Sequence, residues 1–255
     1  MQTVDVTAST KLRLIWRLIT APIEMLVIYL PGAGGEVLRS RYYRRRLAFL
    51  GRNVKIEVGV HFVNPGWIRI GDNCWIDKYV IVLAGPPSCE GRIVARRENP
   101  LFAGKEGLVD IDENCHIASH ALINGHGGVF IGANSTVAAG AKIVSFSHHH
   151  ENPLDETDTR LYSFGSRAPF ARQALISAAV VMERETALGT NAVMLPGTSI
   201  GEWAWVGAQS VVTKPIPSMS LAWGVPAKVA LHRRGSPPTE TTQGATRTRE
   251  RPSVG

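Results

Sequence analysis

Four of the eight histidines fall in two short stretches. SFSHHHENP at 145–153 carries His148, His149 and His150 ahead of an acid, an amide and a proline, and INGHGGV at 123–129 carries His126 among glycines. Neighbouring residues of a strand point to opposite faces, so three consecutive histidines cannot line one strand face. Three uses suit such residues: metal ligation by neutral imidazole, general-base catalysis by a group that titrates near neutrality, and a solvated loop with no chemistry. The glycines around His126 let a backbone approach a ligand closely.

The elements that position these residues follow from a six-residue period. Ile176, Met182, Leu188, Met194, Ile200, Val206 and Val212 recur at every sixth position. Val180, Thr186, Ala192, Thr198, Ala204 and Ser210, all small or β-branched, stand four residues after the first six of them. A period of six fits neither a helix nor an alternating strand; it fits a short strand and a turn, repeated. The same phase appears in blocks of three: Ile70, Ile76, Val82; Ile111, Ile117, Ile123; and Ile131, Val137, Ile143. Three hexapeptides make one coil of a triangular prism. Cys74 and Cys115 occupy the small-residue slot and read as buried filler.

The interruptions of the period share one place. Phe62 to Ile70 and Ile123 to Ile131 each span eight residues, and longer insertions follow Val82 (84–107) and Ile143 (145–173). All four come after the third anchor of a coil, so all are expected to leave the prism at one corner, with His126 and His148 on neighbouring coils about 4.8 Å apart. Insertions in repeat proteins map to one face, commonly the binding face.

Composition bounds the partners. The net charge of +7 points to an anionic partner, with Arg39, Arg41, Arg44, Arg45 and Arg46 clustered near one end and Arg233, Arg234, Arg247, Arg249 and Arg251 near the other. No nucleic-acid-binding motif accompanies them, and nucleic acid is not expected. Three cysteines without a CxxC pair fit a reducing compartment, and a cytoplasmic location is expected. The apolar run from Leu14 to Tyr29 is broken by Arg17, Pro22 and Glu24, too interrupted to span a bilayer. Residues 1–50 read as a helical extension, with peripheral contact to the inner face of a membrane through residues 1–46 as one expectation and packing on the prism as the other. Residues 51–217 form the repeat, 218–234 a C-terminal cap, and 235–255 a polar disordered tail.

The stretches LGTNAVMLPGTSIGEWAWVGAQSVVTKPIP (188–217) and WGVPAKV (223–229), with a histidine opening the loop after a hexapeptide, resemble the hexapeptide-repeat acyltransferases. The likeness is strongest to the branch of maltose, galactoside and polysaccharide O-acetyltransferases and covers roughly residues 51–234. It implies an all-β fold, a left-handed parallel β-helix, with a helical N-terminal extension and loop insertions at one corner. It also implies a homotrimer with sites between subunits, acetyl-CoA as co-substrate, no metal, and a sugar hydroxyl as acceptor. The general base carried over is His148, five residues past Ile143. His126, Asn124, Gly127 and His149 are the expected acceptor contacts. Gly207, Lys214, Gly224, Pro226, Ala227, Lys228 and Arg233 are the expected contacts to CoA. Many relatives carry a tryptophan where this chain has Ala187, so the acceptor pocket is expected to differ.

A histidine can take the hydroxyl proton as the oxygen attacks a thioester, help worth about 10²–10⁴-fold. The backbone N–H groups of Gly125–Gly128 are expected to meet the oxyanion, and Glu151 or Asp155 to orient the base. Two rivals stand beside this reading. One is a trimeric zinc enzyme of the carbonic-anhydrase type, drawing on His116, His120, His126 and His148–His150; the other is a non-catalytic β-helix scaffold. His116 and His120 read as surface residues, and Trp203 and Trp205 as packing residues in turn slots.

Overall fold

The computed structural model describes residues 21–235, so expectations for residues 1–20 and 236–255 lie outside the described residues. Three parallel sheets form the faces of a triangular prism. Face A stacks Phe49–Leu50, Ile68–Ile70, Val109–Ile111, Val129–Ile131, Val180–Met182 and Ser199–Ile200. Face B stacks Lys55–Ile56, Trp75–Ile76, His116–Ile117, Thr136–Val137, Ala187–Leu188 and Trp205–Val206, and continues into Ser220–Gly224. Face C stacks His61–Val63, Ile81–Leu83, Leu122–Asn124, Lys142–Val144, Val193–Met194 and Val211–Val212.

Strands this short have little stability of their own. The fold holds because each coil pairs its backbone with the coils on either side and adds one aliphatic residue per face to a continuous core. Ile70, Ile76, Val82, Ile117, Ile123, Ile131, Val137 and Ile143 are all fully buried. Cys74 and Cys115 are buried too, as the repeat implies, and the Cys74 sulfur together with burial holds the Cys115 thiol far above its ordinary value. That thiol stays protonated and unreactive.

Turning a corner in one step needs a left-handed backbone residue, which asparagine tolerates better than most. Asn53, Asn73, Asn114 and Asn134 all have positive φ at the A–B corner. Their side chains form a ladder, Asn53 to Asn73 at 3.1 Å, Asn73 to Asn114 at 3.1 Å and Asn114 to Asn134 at 3.0 Å, which ends on Glu185 at 2.7 Å. At the B–C corner Tyr79 and His120 take the same conformation and stack their rings at 5.2 Å. His116 lies on the outside of face B, stacked on Trp75 at 4.7 Å. Trp205 departs from its turn-slot reading: it stands on a strand of face B and is 43% exposed.

The helices 21–29 and Gly32–Arg44 close one end of the prism. Arg39 is fully buried there, donating Nε to the Ile56 carbonyl at 2.8 Å and Nη1 to the Leu30 carbonyl at 2.7 Å. Arg44 donates to the carbonyls of Leu50 and Gly51, and Arg46 lies over the Tyr42 ring within reach of Glu24. The basic cluster read as a patch for an anionic partner is therefore spent partly on capping the core. No described helix is long and apolar enough to cross a membrane.

The four interruptions leave the prism where face C meets face A. Phe62, Val82, Ile123 and Ile143 are in register on face C, so the phase holds across both long insertions. The insertions build a side sheet, with Ala174–Ala178 between Phe146–His149 and Ile93–Arg97. This corrects one reading of the repeat. Ile176 is no core anchor; it pairs with Ser147 on one side and Ala95 on the other, in that side sheet. The 145–173 loop is tied down by Asp158, which accepts hydrogen bonds from Arg160, Tyr162 and Asn152. Arg160 above all, then Tyr162 and Asn152, hold its carboxyl well below the usual carboxylate range.

Two outcomes follow. Ile123→Ala removes a fully buried anchor and should destabilise the chain by about 2–5 kcal/mol in urea denaturation. Asp158→Asn should speed tryptic cleavage after Arg160 and leave the melting temperature of the prism within a few degrees of wild type. Because the Asp158 pKa is depressed, its anchor is present above the ordinary aspartate value of about 3.9 and should be lost only as pH falls below it.

Candidate active site

Asn124 ends a strand of face C, and the chain then bulges through Gly125, His126, Gly127 and Gly128 before entering face A at Val129. Glycine is required at Gly127, because a Cβ there would meet the Ser145 carbonyl oxygen at 2.3 Å, and at Gly128, where φ is +102°. Ser145, on the next coil, is fully buried and locks the bulge: its Oγ accepts from Gly127 N at 2.9 Å and donates to the Asn124 carbonyl at 2.7 Å. The next residues, Phe146–His149, form a strand of the side sheet. Phe146 sets its ring edge-on to His126 at 6.1 Å, and its carbonyl accepts from Asn124 Nδ2 at 3.4 Å. His148 lies two residues along the same strand, on the same side as Phe146. The bulge therefore meets, through Phe146, the strand that carries His148 and His149.

The imidazoles differ in their surroundings. His126 Nδ1 is 2.7 Å from the Gly85 carbonyl oxygen. Gly85 sits at the neck of the 84–107 insertion, where its N–H bonds the Gly107 carbonyl at 2.8 Å and both glycines have positive φ. His148 Nδ1 is buried with no hydrogen-bond partner among the described residues. His149 Nδ1 lies against the Glu151 main chain, with its ring stacked on His150 at 4.7 Å. Glu151 reaches His150, and Asp155 caps Thr157, so neither acid meets His148 or His126 in the expected orienting role.

The expected oxyanion donors are corrected. Gly125 N bonds the Leu83 carbonyl, His126 N the Asn124 side chain, Gly127 N the Ser145 hydroxyl, and Gly128 N the Gly125 carbonyl. Every N–H of the bulge is already used within the chain.

Two clefts flank the corner. One, of 780 Å³, is lined by His149, His150, Glu151, Tyr162 and Phe164 among others; the second, of 370 Å³, by Phe102, Glu106, Gly127 and Ser177. Arg97 lines both. Ser177 donates to Glu106 at 2.6 Å, and Arg96 pairs with the other oxygen of the same carboxylate. Gly85, Ser145 and Phe146 were missed in the sequence, although a glycine at each end of the first insertion was a signal for its neck. Among the described residues no group of three or more His, Cys, Asp or Glu side chains converges to hold a metal ion.

The residues expected at CoA gather elsewhere. Gly207 bonds the Ala222 carbonyl on face B. Gly224, Pro226, Ala227 and Lys228 form the hairpin where Ala227–His232 folds back on Ser220–Gly224. Lys214 follows the last strand of face C and is exposed, apart from that hairpin. Arg233 instead donates to the Trp203 carbonyl and lies over its ring. Ala222 is in register with Val206, so the turn of the hairpin lies where face B meets face C, and the width of face C separates it from the histidines of the same chain.

The chain is similar to known proteins. A family model described as the hexapeptide repeat of succinyl-transferase matches residues 180–214. The chain is 26% identical over 179 residues to a dTDP-4-amino-4,6-dideoxy-D-glucose acyltransferase of Escherichia coli, covering 70% of this chain and 79% of the relative. It is 31% identical over 132 residues to the putative lipopolysaccharide biosynthesis O-acetyl transferase WbbJ of Escherichia coli K12, covering 51% and 63%. The crystal structure of AntD, an N-acyltransferase from Bacillus cereus in complex with dTDP and 3-hydroxybutyryl-CoA, superposes with a TM-score of 0.59 at 20% identity, over 77% of this chain and 88% of that one, and shares the fold. With its in-register coils and its single corner of insertions, the chain has the fold of a left-handed parallel β-helix and is similar to hexapeptide-repeat acyltransferases.

Proposed function

We propose that the protein transfers an acyl group, most simply acetyl, from its CoA thioester to a hydroxyl of a sugar or sugar-containing precursor. An imidazole of the C–A corner serves as general base. The observation that carries this is the meeting of the His126 bulge with the Phe146–His149 strand, on a prism whose relatives are sugar acyltransferases. The resemblance implies His148 as the base, with Asn124, His126, Gly127 and His149 around the acceptor. An alcohol is a weak nucleophile at neutral pH, and a base that takes its proton during attack supplies what the reaction lacks.

The donor side supports an assembly of more than one chain. The Gly224–Lys228 turn and the histidine corner lie at different edges of one prism, separated by face C, so a site using both takes the hairpin from a neighbour. Face C has the surface for such an interface: Ile81, Leu83, Leu122, Val144, Val193 and Val211 point outward and are only half-buried or exposed. A homotrimer around these faces buries that stripe and sets each corner beside another chain's hairpin.

The test is CoA release from acetyl-CoA in the presence of a panel of neutral, nucleotide-linked and amino sugars. A hydroxyl sugar should accelerate release well above the rate with water alone. Faster turnover of amino sugars would assign N-acyl transfer, which the dTDP-amino-sugar relative makes a specific second reading. Failure to bind CoA at all would support the scaffold, and stoichiometric zinc lost together with activity would support the metal enzyme.

A further inference from the structure

The two corner histidines are fixed in opposite hydrogen-bonding states, and this separates their roles. A main-chain carbonyl oxygen can only accept a hydrogen bond, so the 2.7 Å contact between His126 Nδ1 and Gly85 O requires the proton on Nδ1. The neutral ring then carries its lone pair on Nε2, which makes no hydrogen bond among the described residues and is not among the buried, partnerless atoms. The neck that supplies the carbonyl is itself held by the Gly85–Gly107 hydrogen bond, and the edge-on Phe146 ring packs on the imidazole. In His148 it is Nδ1 that is buried without a partner. A buried N–H left unpaired is costlier than an unpaired lone pair, so the proton of neutral His148 sits on Nε2.

From this geometry we infer that His126, and not His148, is the catalytic base, and that His148 serves the bound ligand as an N–H donor. The inference rests on the acyl-transfer reading. The acceptor O–H gives its proton to His126 Nε2 as the oxygen bonds to the acyl carbon. The C–S bond then breaks, and the thiolate of CoA takes the proton from Nε2, which restores the neutral ring. Gly85 accepts from Nδ1–H throughout. With the bulge N–H groups all used internally, the Nε2–H of His148 is a donor that remains for the acceptor or the oxyanion.

Glutamine separates the two roles, since it can donate a hydrogen bond but cannot take up a proton at neutral pH. His126→Gln should lower kcat by about 10²–10⁴-fold, with KM for acetyl-CoA changed by less than about threefold. His148→Gln should keep kcat within about tenfold of wild type. Free imidazole should restore part of the turnover of His126→Ala and none to His148→Ala. The wild-type protein adds a readout that needs no variant: nitrogen-15 spectra should show neutral His126 protonated at Nδ1 and neutral His148 at Nε2. The opposite pattern, His148→Gln inactive and His126→Gln near wild type, would overturn the inference while leaving acyl transfer standing. A wild-type protein that releases no CoA with any sugar would overturn both.

Discussion

The in-register stacking of third anchors on face C constrains everything else in this molecule. Phe62, Val82, Ile123, Ile143 and Met194 follow one another up the face, each strand bonded to the next. A coil may leave the prism after that anchor for two residues or for thirty, provided it returns to face A in register. Length is therefore free at the C–A corner and fixed elsewhere, because slipping a strand would turn its buried residue outward. Residues far apart in sequence are thereby delivered to one edge.

What the corner builds depends on main-chain atoms as much as on side chains. The bulge is held by Ser145 from the coil above, and His126 is oriented by a carbonyl from the neck of the first insertion. The second insertion contributes the strand carrying Phe146 and His148, pinned in turn by Ala174–Ala178. Losing any of these contacts costs little of the core, which lies inside the prism, and much of the geometry at its edge.

Much of this was legible in the residues. Aliphatic side chains every six positions identify the coils, because a period that matches neither helix nor alternating strand has few other physical sources. The shared exit corner followed from counting. The misreadings have physical causes. Ile176 keeps the six-residue phase because Ala174–Ala178 runs straight on into face A, so spacing alone cannot show that its strand lies outside the prism. Arg39 and Arg44 looked like surface charge, since a count of cations does not reveal the carbonyls that bind them. The Gly125–Gly128 amides looked available because their acceptors, including the Leu83 carbonyl and the Ser145 hydroxyl, come from neighbouring coils. The Gly85 carbonyl has no side-chain signature at all.

The proposed acyl transfer is shared between chains: it sets the histidine corner of one prism beside the hairpin of another. The most direct measurement mixes two inactive chains, one carrying His126→Ala and the other Gly224→Val, the second chosen because a β-branched residue does not accept the φ of +106° at that turn. Co-refolded mixtures should recover CoA release, because an assembly containing both chains holds some sites with an intact corner and an intact hairpin. Mixtures as inactive as either chain alone, in assemblies shown to contain both, would contradict a site built from two subunits.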